Sequence, residues 1–131
     1  PGQGQVLVQE PSRNTPFKGI FQCDGGYYDF RNIDNRILCG GGRNLDFEKE
    51  KTTTIALNDA IQEKLDYYLK NLILPKQDYK VAMRWSGIMA FGKEKTPIVR
   101  LIDERIIAGV RMNGIGVALG TLVGEELAGL L

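Results

Sequence analysis

The chain has 131 residues, of which 43% are hydrophobic and 25% are charged, and these values are ordinary for one soluble globular domain. Its formal net charge is +1, and it contains no lysine-rich run or array of stacking aromatic residues, so no nucleic-acid partner is expected. It contains no histidine, which excludes Ser-His-Asp and Cys-His catalysis. Without histidine and without a Cys-x-x-Cys spacing, no metal site is expected.

The two cysteines, Cys23 and Cys39, occur in a sequence that shows no secretory signal. This pattern predicts reduced thiols and a cytoplasmic protein. Glu125 and Glu126 interrupt the apolar C-terminal run well short of the ~20 residues that a membrane-spanning helix needs, so no membrane partner is expected. The chain opens with Pro1 and enters a strand pattern at once, and we therefore expect an excised portion of a longer polypeptide.

The first third of the chain carries short apolar runs separated by turn residues, which predict strands. The predicted strands cover residues 5–9, 17–23, 27–31 and 36–40. Asp34-Asn35 is typical of a tight hairpin turn and joins the last two of these strands.

A long amphipathic helix is predicted at residues 57–74, and Pro75 ends it. Its apolar residues follow helical spacing, and they are Leu57, Ile61, Leu65, Leu69 and Leu72. Its polar residues are expected to face water, and they include Gln62, Glu63, Lys64 and Asp66. Three more strands are predicted at residues 79–90, 97–101 and 105–110. The sequence therefore predicts an α+β fold, in which a mixed or antiparallel sheet is covered on one side by the long helix.

The C-terminal segment combines a strand at 106–110, a glycine turn at 113–116 and a helix at 117–131. Gly116, Gly120 and Gly124 recur every four residues, so they lie on one side of the helix. Each helical glycine costs about 0.5–1 kcal/mol relative to alanine, and three on one face indicate the close approach of another group. A helix start with free N–H groups suits a phosphate, a carboxylate or an electron-rich ring edge. The alternative is that the glycines only let the helix pack tightly on a strand.

Taken in order, six segments resemble the C-terminal portion of FAD-dependent oxidoreductases of the D-amino-acid oxidase and glycine oxidase type. These segments are residues 4–8, 28–40, 57–75, 85–89, 96–99 and 113–116. The resemblance implies that residues 1–105 are a portion of the substrate domain, whose sheet covers the flavin and the substrate. Residues 106–131 would be the closing strand and helix of the FAD-binding domain. On this interpretation the N-terminal dinucleotide fingerprint lies outside the chain.

The same resemblance implies oxidation of the carbon–nitrogen bond of an amine or amino acid by hydride transfer to FAD. No side chain is assigned as catalytic, because the cofactor does that chemistry. FAD is expected to bind non-covalently, since Ile88 stands where sarcosine oxidase relatives carry the cysteine of covalent attachment. Binding is also expected to require the missing N-terminal domain, so the isolated chain is expected to be inactive.

The resemblance also provides candidate site residues. The candidates for substrate binding are Tyr28, Arg84 and Arg111. The candidates for cofactor binding are Met112, Asn113, Gly114, Ile115, Gly116 and Val117. Met89 stands where glycine oxidase-like members place a carboxylate-binding arginine, which leaves carboxylate capture to Arg111, to Arg84 or to no residue. In the structural alternative, Tyr28 is an aromatic residue of the core. Arg84 and Arg111 are then strand residues whose side chains are solvated.

Two alternatives from other classes stay open, namely a non-enzymatic α+β interaction module and a separately encoded subunit of a heteromeric oxidase. In the fragment interpretation, by contrast, the C-terminal strand and helix would lack their usual partners, which lie in the absent domain. The apolar residues that they would then expose are Ile106, Val110, Val117 and Leu127. Monomers rarely leave such a patch bare, so self-association of the chain is expected.

Overall fold

The computed structural model describes all 131 residues, which form two compact units. The first unit is Gln3–Ile88, and the second comprises Pro1–Gly2 and Met89–Leu131. The secondary structure is α+β with antiparallel strand pairs, which confirms the predicted fold class.

All of the predicted strands and both helices are present, and their ends differ from the prediction by a few residues. The strands are β1 (Gly2–Gln9), β2 (Ile20–Cys23), β3 (Tyr28–Ile33), β4 (Arg36–Gly41), β5 (Val81–Met89), β6 (Ile98–Asp103) and β7 (Ile106–Val110). The helices are α1 (Asp59–Tyr68), which a π-helical turn (Leu69–Ile73) extends, and α2 (Gly116–Ala128).

Five strands form one sheet in the order β2-β3-β4-β1-β5. The β3–β4 hairpin turns through Asp34 and Asn35, as predicted. Their φ angles are 47° and 58°, so both residues adopt the left-handed conformation of the turn whose twist matches that of the flanking strands. Asp and Asn tolerate this conformation better than most residues, which is why the local sequence specified this hairpin.

Strand β1 buries glutamines on the face that α1 covers. The buried residues of this strand alternate, and they include Gln3, Gln5, Leu7 and Gln9. Val6 and Val8 are half-buried on the opposite face, because successive side chains of a strand point to opposite sides. The apolar core lies between the sheet and α1 with its π turn, and its members are Leu7, Tyr28, Ile37, Cys39, Ile61, Leu65, Leu69, Ile73 and Leu74.

The predicted apolar face of the long helix is correct in the middle and wrong at both ends. Leu57 lies before α1 and is exposed, and Leu72 is 63% exposed, whereas Ile73 and Leu74 are buried instead. At the C-terminal end the cause is the π turn, in which the Leu74 N–H donates to the Leu69 carbonyl oxygen at 2.8 Å. This i to i+5 bond adds one residue to the turn, so the buried face moves along the sequence.

Gln62 was expected to face water, but it is buried. Its side chain lies on the α1 surface that meets the polar part of β1, where the Gln62 Nε2 donates to Gln5 Oε1 at 3.1 Å. The prediction failed because helical spacing identifies an apolar face but cannot reveal a polar partner from a distant strand.

In the second unit, β6 and β7 form an antiparallel pair on which α2 packs. The closest approach occurs at a strand glycine: a Cβ atom on Gly109 would lie 2.6 Å from Val123 Cγ1 and 2.7 Å from Leu127 Cδ1. A Cβ atom on Gly120 or Gly124 would meet nothing within 4 Å. The packing of α2 on β7 therefore depends on Gly109, whereas Gly120 and Gly124 take no part in it.

Neither helix has the length and apolar character that crossing a membrane would demand.

Candidate functional site

The segment that leads from β7 into α2 has an unusual backbone conformation. Arg111, Asn113 and Gly114 have φ angles of 64°, 52° and 84°, so three of four consecutive residues are left-handed. Gly adopts this conformation freely and Asn tolerates it, whereas it is uncommon for Arg. Such a conformation persists only when surrounding contacts hold it, and both Arg111 and Asn113 make such contacts.

Asn113 fastens the turn to the segment that follows β5. Its N–H donates to the Ala90 carbonyl oxygen at 3.2 Å, and its Oδ1 accepts a hydrogen bond from the Gly92 N–H at 2.9 Å. Its Nδ2 donates to the Arg111 carbonyl oxygen at 2.9 Å. Both ends of the side-chain amide are therefore engaged within the protein, which makes Asn113 a residue that positions the turn.

Arg111 holds the turn that precedes β6. Its Nε and Nη2 donate to the Thr96 carbonyl oxygen at 3.2 and 3.0 Å, and Nη2 lies 3.3 Å from Glu94 Oε2. The arginine side chain is 22% exposed and that of Glu94 is 77% exposed, so the ion pair itself is worth only about 0–1 kcal/mol. The Nη1 atom makes no hydrogen bond and remains able to bind another acceptor.

The start of α2 presents backbone donors. Ile115 precedes the helix and provides no side-chain cap, and its carbonyl oxygen accepts from the N–H groups of Ala118 and Leu119, both at 3.1 Å. The N–H groups of Gly116 and Val117 donate to no group of the chain. The positive end of the helix dipole adds to these free donors, so the site can bind an anion or the oxygen-rich edge of a ring.

The side chains around these donors leave room at the helix start. Val117 is fully exposed, and Gly114 and Gly116 have no side chain. A Cβ atom on Gly114 would be 3.5 Å from Met89 Sδ, and one on Gly116 would be 3.1 Å from Met112 Sδ. The thioethers of Met89 and Met112 therefore provide an apolar surface next to the turn.

Arg84 lies on the α1 face of the sheet in the first unit and is bound within the protein. Its Nη2 donates to both carboxylate oxygens of Asp66, at 3.0 and 2.8 Å, and its Nη1 donates to Gln62 Oε1 at 2.9 Å. Gln62 continues the network to Gln5, whose Nε2 donates to the completely buried Glu50. This network joins α1 and β1 to the segment before the helix, and it gives Arg84 a structural role.

Tyr28 also lies on the α1 face, in the core. The residue is 1% exposed, its ring packs edge-on against Tyr68 with the centroids 4.6 Å apart, and its Oη has no hydrogen-bond partner. Burial raises the pKa of Tyr28 to about 12, and the neighbouring Tyr68 adds to this shift. The structure thus brings Arg111 and residues Met112–Val117 together in one unit and places Tyr28 and Arg84 in the other.

Sequence reasoning missed Asp29, which lies on the sheet face away from α1. A Cβ atom on Gly40 would be 3.5 Å from Asp29 Oδ1 and 3.6 Å from Val6 Cγ2, so these side chains share that face. Burial raises the pKa of the Asp29 carboxyl, and the charge of Arg31 opposes that shift. The signal was present in the sequence, because a strand that buries Tyr28 must turn Asp29 to the opposite side.

The chain was also compared with known proteins. The model of the family described as FAD dependent oxidoreductase (DAO) matches residues 1–130. No curated protein and no solved structure matches the chain. Because the family match covers almost every residue, the chain belongs to the family of FAD dependent oxidoreductases.

Proposed function

We propose that the protein to which this chain belongs oxidises the carbon–nitrogen bond of an amine or amino acid, as enzymes of the D-amino-acid oxidase and glycine oxidase type do. The observation that carries this proposal is the start of α2, where free N–H groups follow a turn that Asn113 and Arg111 hold in place. Family membership supports FAD as the cofactor. When bound, FAD would supply the hydride-accepting chemistry of this oxidation.

Residues Met112–Val117 fit the proposed contact with the flavin. The N–H groups of Gly116 and Val117 are free, and no side chain covers them. These donors and the helix dipole would stabilise the negative charge that grows on the pyrimidine edge of the ring during reduction. Asn113 and Arg111 would keep the donors in position, so that no reorganisation is needed when the charge develops.

The thiols of the chain support non-covalent attachment. Cys39 is buried, and burial raises its pKa to about 12. Burial likewise raises the pKa of Cys23. Attack on a flavin ring requires a thiolate, and neither site favours one. Ile88 occupies the position of the attachment cysteine of sarcosine oxidase relatives.

Among the three substrate-binding candidates, Arg111 is the best supported. Its Nη1 makes no hydrogen bond, whereas the guanidinium of Arg84 is committed to Asp66 and Gln62. The hydroxyl of Tyr28 is buried and would need the core to open before it could meet a substrate. Arg111 could therefore bind a substrate carboxylate without giving up its contact with Thr96.

We also propose that residues 1–105 are a portion of the substrate domain and that residues 106–131 complete a FAD-binding domain whose N-terminal half lies outside the chain. The unfilled side of α2 at Gly120 and Gly124 supports a partner there. The isolated chain would then be inactive and prone to self-association through Ile106, Val110 and Val117, all of which are exposed. Leu127 belongs to this surface only in part, because it packs near Gly109. Such a protein would act in the cytoplasm.

The test is anaerobic reduction of the full-length protein. It should be purified with FAD, and a panel of primary amines, secondary amines and amino acids should be added without oxygen. Loss of the oxidised flavin absorbance with at least one class of nitrogen compound is expected. Bound FAD that none of these compounds reduces, but that a hydroxy acid or a nicotinamide reduces, would contradict the proposal.

A further inference from the structure

A cavity lies where β1 ends and where the chain approaches β5. Its volume is about 340 Å³, and residues 9–12 and 78–80 line it. Backbone hydrogen bonds fix its walls: the Glu10 N–H donates to the Lys80 carbonyl oxygen at 2.8 Å, and the Ser12 N–H donates to the Asn35 carbonyl oxygen at 2.7 Å. All of these residues belong to the first unit. Small-molecule sites span roughly 300–1,000 Å³, so the cavity is large enough for a small ligand.

Gln9 is the buried polar residue of this cavity. It is 1% exposed, and neither its Nε2 nor its Oε1 has a hydrogen-bond partner. Gln3 and Gln5, which are buried on the same face of β1, differ in this respect, because both ends of each side-chain amide are hydrogen-bonded within the chain. Of these three glutamines, the one at the cavity is therefore the one whose amide the fold does not satisfy. A buried amide without partners costs stability, so its presence calls for a partner that the chain itself does not supply.

The chemistry of the amide defines the partner. A glutamine side chain presents an acceptor and two donors in one plane, and its complement is a group that carries an N–H and a C=O side by side. Carboxamides and lactams have this arrangement and can form two parallel hydrogen bonds with it. The terminal torsion angle of glutamine has a broad energy minimum, so the amide can turn to meet a ligand in the cavity.

The other lining residues favour a neutral ligand. Glu10, Asp78 and Lys80 are exposed, and two carboxylates against one ammonium group do not attract an anion. Pro11 and Tyr79 supply apolar surface for the carbon skeleton of the ligand. The cavity thus combines one buried amide with an apolar wall and charges that remain in water.

We infer that Gln9 binds a neutral carboxamide or lactam in this cavity through two hydrogen bonds, one from Nε2 and one to Oε1. The carbon skeleton of the ligand would pack against Pro11 and Tyr79. The inference goes beyond the proposed function and does not depend on it, since none of the residues assigned to the flavin or to the amine substrate lines this cavity.

The test is an NMR titration of the isotope-labelled full-length protein with δ-valerolactam and with N-methyl-δ-valerolactam, which lacks the donor. The wild-type protein should bind δ-valerolactam about ten- to a hundredfold more tightly, because the methylated compound leaves Gln9 Oε1 buried without a partner. The side-chain amide signals of Gln9 should shift as δ-valerolactam binds. Gln9→Leu should lose the preference, and it should fold because leucine suits a buried position.

The matched control is Gln22→Leu, the same substitution at an exposed position of β2, which should retain the preference. Four results would overturn the inference: no binding of δ-valerolactam, equal binding of both compounds, a preference that survives in Gln9→Leu, or an equal loss in Gln22→Leu. If Gln9→Leu does not fold, the wild-type comparison and the Gln9 amide signals decide the question. Signals that stay unchanged at saturation would mean that the amide is satisfied by an internal water only, and this would also overturn the inference.

Discussion

Gly109 on β7 and Val123 on α2 approach so closely that a Cβ atom on the glycine would lie 2.6 Å from Val123 Cγ1. This contact sets the distance between the helix and the strand. It also separates the glycines of the segment by role, since Gly120 and Gly124 on the helix would meet no atom if they carried a side chain.

The first prediction follows from this difference. Gly109→Ala should lower the free energy of unfolding by about 1–3 kcal/mol, because the added methyl group overpacks the contact with Val123 and Leu127. Gly120→Ala should raise it by about 0.5–1 kcal/mol, because alanine favours the helix and the added methyl group meets no other atom. Urea unfolding of the 131-residue chain measures both. Equal effects of the two changes would show that α2 does not rest on Gly109.

The second prediction concerns the donors at the start of α2. In the full-length protein, Gly116→Val should lower FAD content, because a branched side chain would crowd Met112 Sδ and cover the free N–H groups. The measurement is the ratio of flavin absorbance to protein absorbance after purification, with circular dichroism to confirm folding. Ala128→Val, at an exposed position at the other end of the helix, is the control and should retain FAD. If Gly116→Val is folded and retains its full flavin content, the helix start does not contact the cofactor.

The third prediction concerns Arg111. In the full-length protein, Arg111→Met should weaken binding of amino-acid substrates by about ten- to a hundredfold and spare amines without a carboxylate. The measurement is the substrate concentration that half-saturates the rate of flavin reduction. Glu94→Gln is the matched control, since it removes the exposed ion pair and leaves the guanidinium in place. A similar loss for both substrate classes would mean that Arg111 only holds the Thr96 turn.

The fourth prediction is a pH dependence of stability at Asp29. Burial raises the pKa of this carboxyl in the folded protein, so the folded state binds the proton more tightly than the unfolded chain does. The resulting destabilisation is absent below the ordinary pKa of about 3.9 and grows as the pH rises. It is complete above the raised pKa of the folded state. Asp29→Asn should therefore be more stable than the wild-type protein at pH 7, and this advantage should shrink as the pH falls towards 4.

Urea midpoints of the wild type and Asp29→Asn over this pH range test the fourth prediction. Asp34→Asn, which removes one carboxylate at the exposed hairpin tip, is the control variant. Asp29→Asn that is less stable than the wild type at pH 7 would indicate a structural role for the carboxylate.

Much of the candidate site was accessible from the sequence because its signals are local. The sequence Asn113-Gly114-Ile115-Gly116 follows a predicted strand, and it indicated a turn and the start of a helix. The structure has both. The partners of Arg111 and Asn113 were not accessible in this way. These partners are Gly92, Glu94 and Thr96. They come close to Arg111 and Asn113 only because β6 pairs with β7, which brings the segment between β5 and β6 next to the turn.

The sequence by itself determined the α+β class, the β3–β4 hairpin and the existence of both helices, because alternation, helical spacing and turn chemistry act over a few neighbouring residues. Only the tertiary structure decided which faces are polar and where the chain is closely packed. Gln62 is buried because Gln5 meets it from a distant strand, and Gly109 is the packing glycine because Val123 lies above it. Each of these outcomes depends on residues far apart in the chain, and no local pattern encodes them.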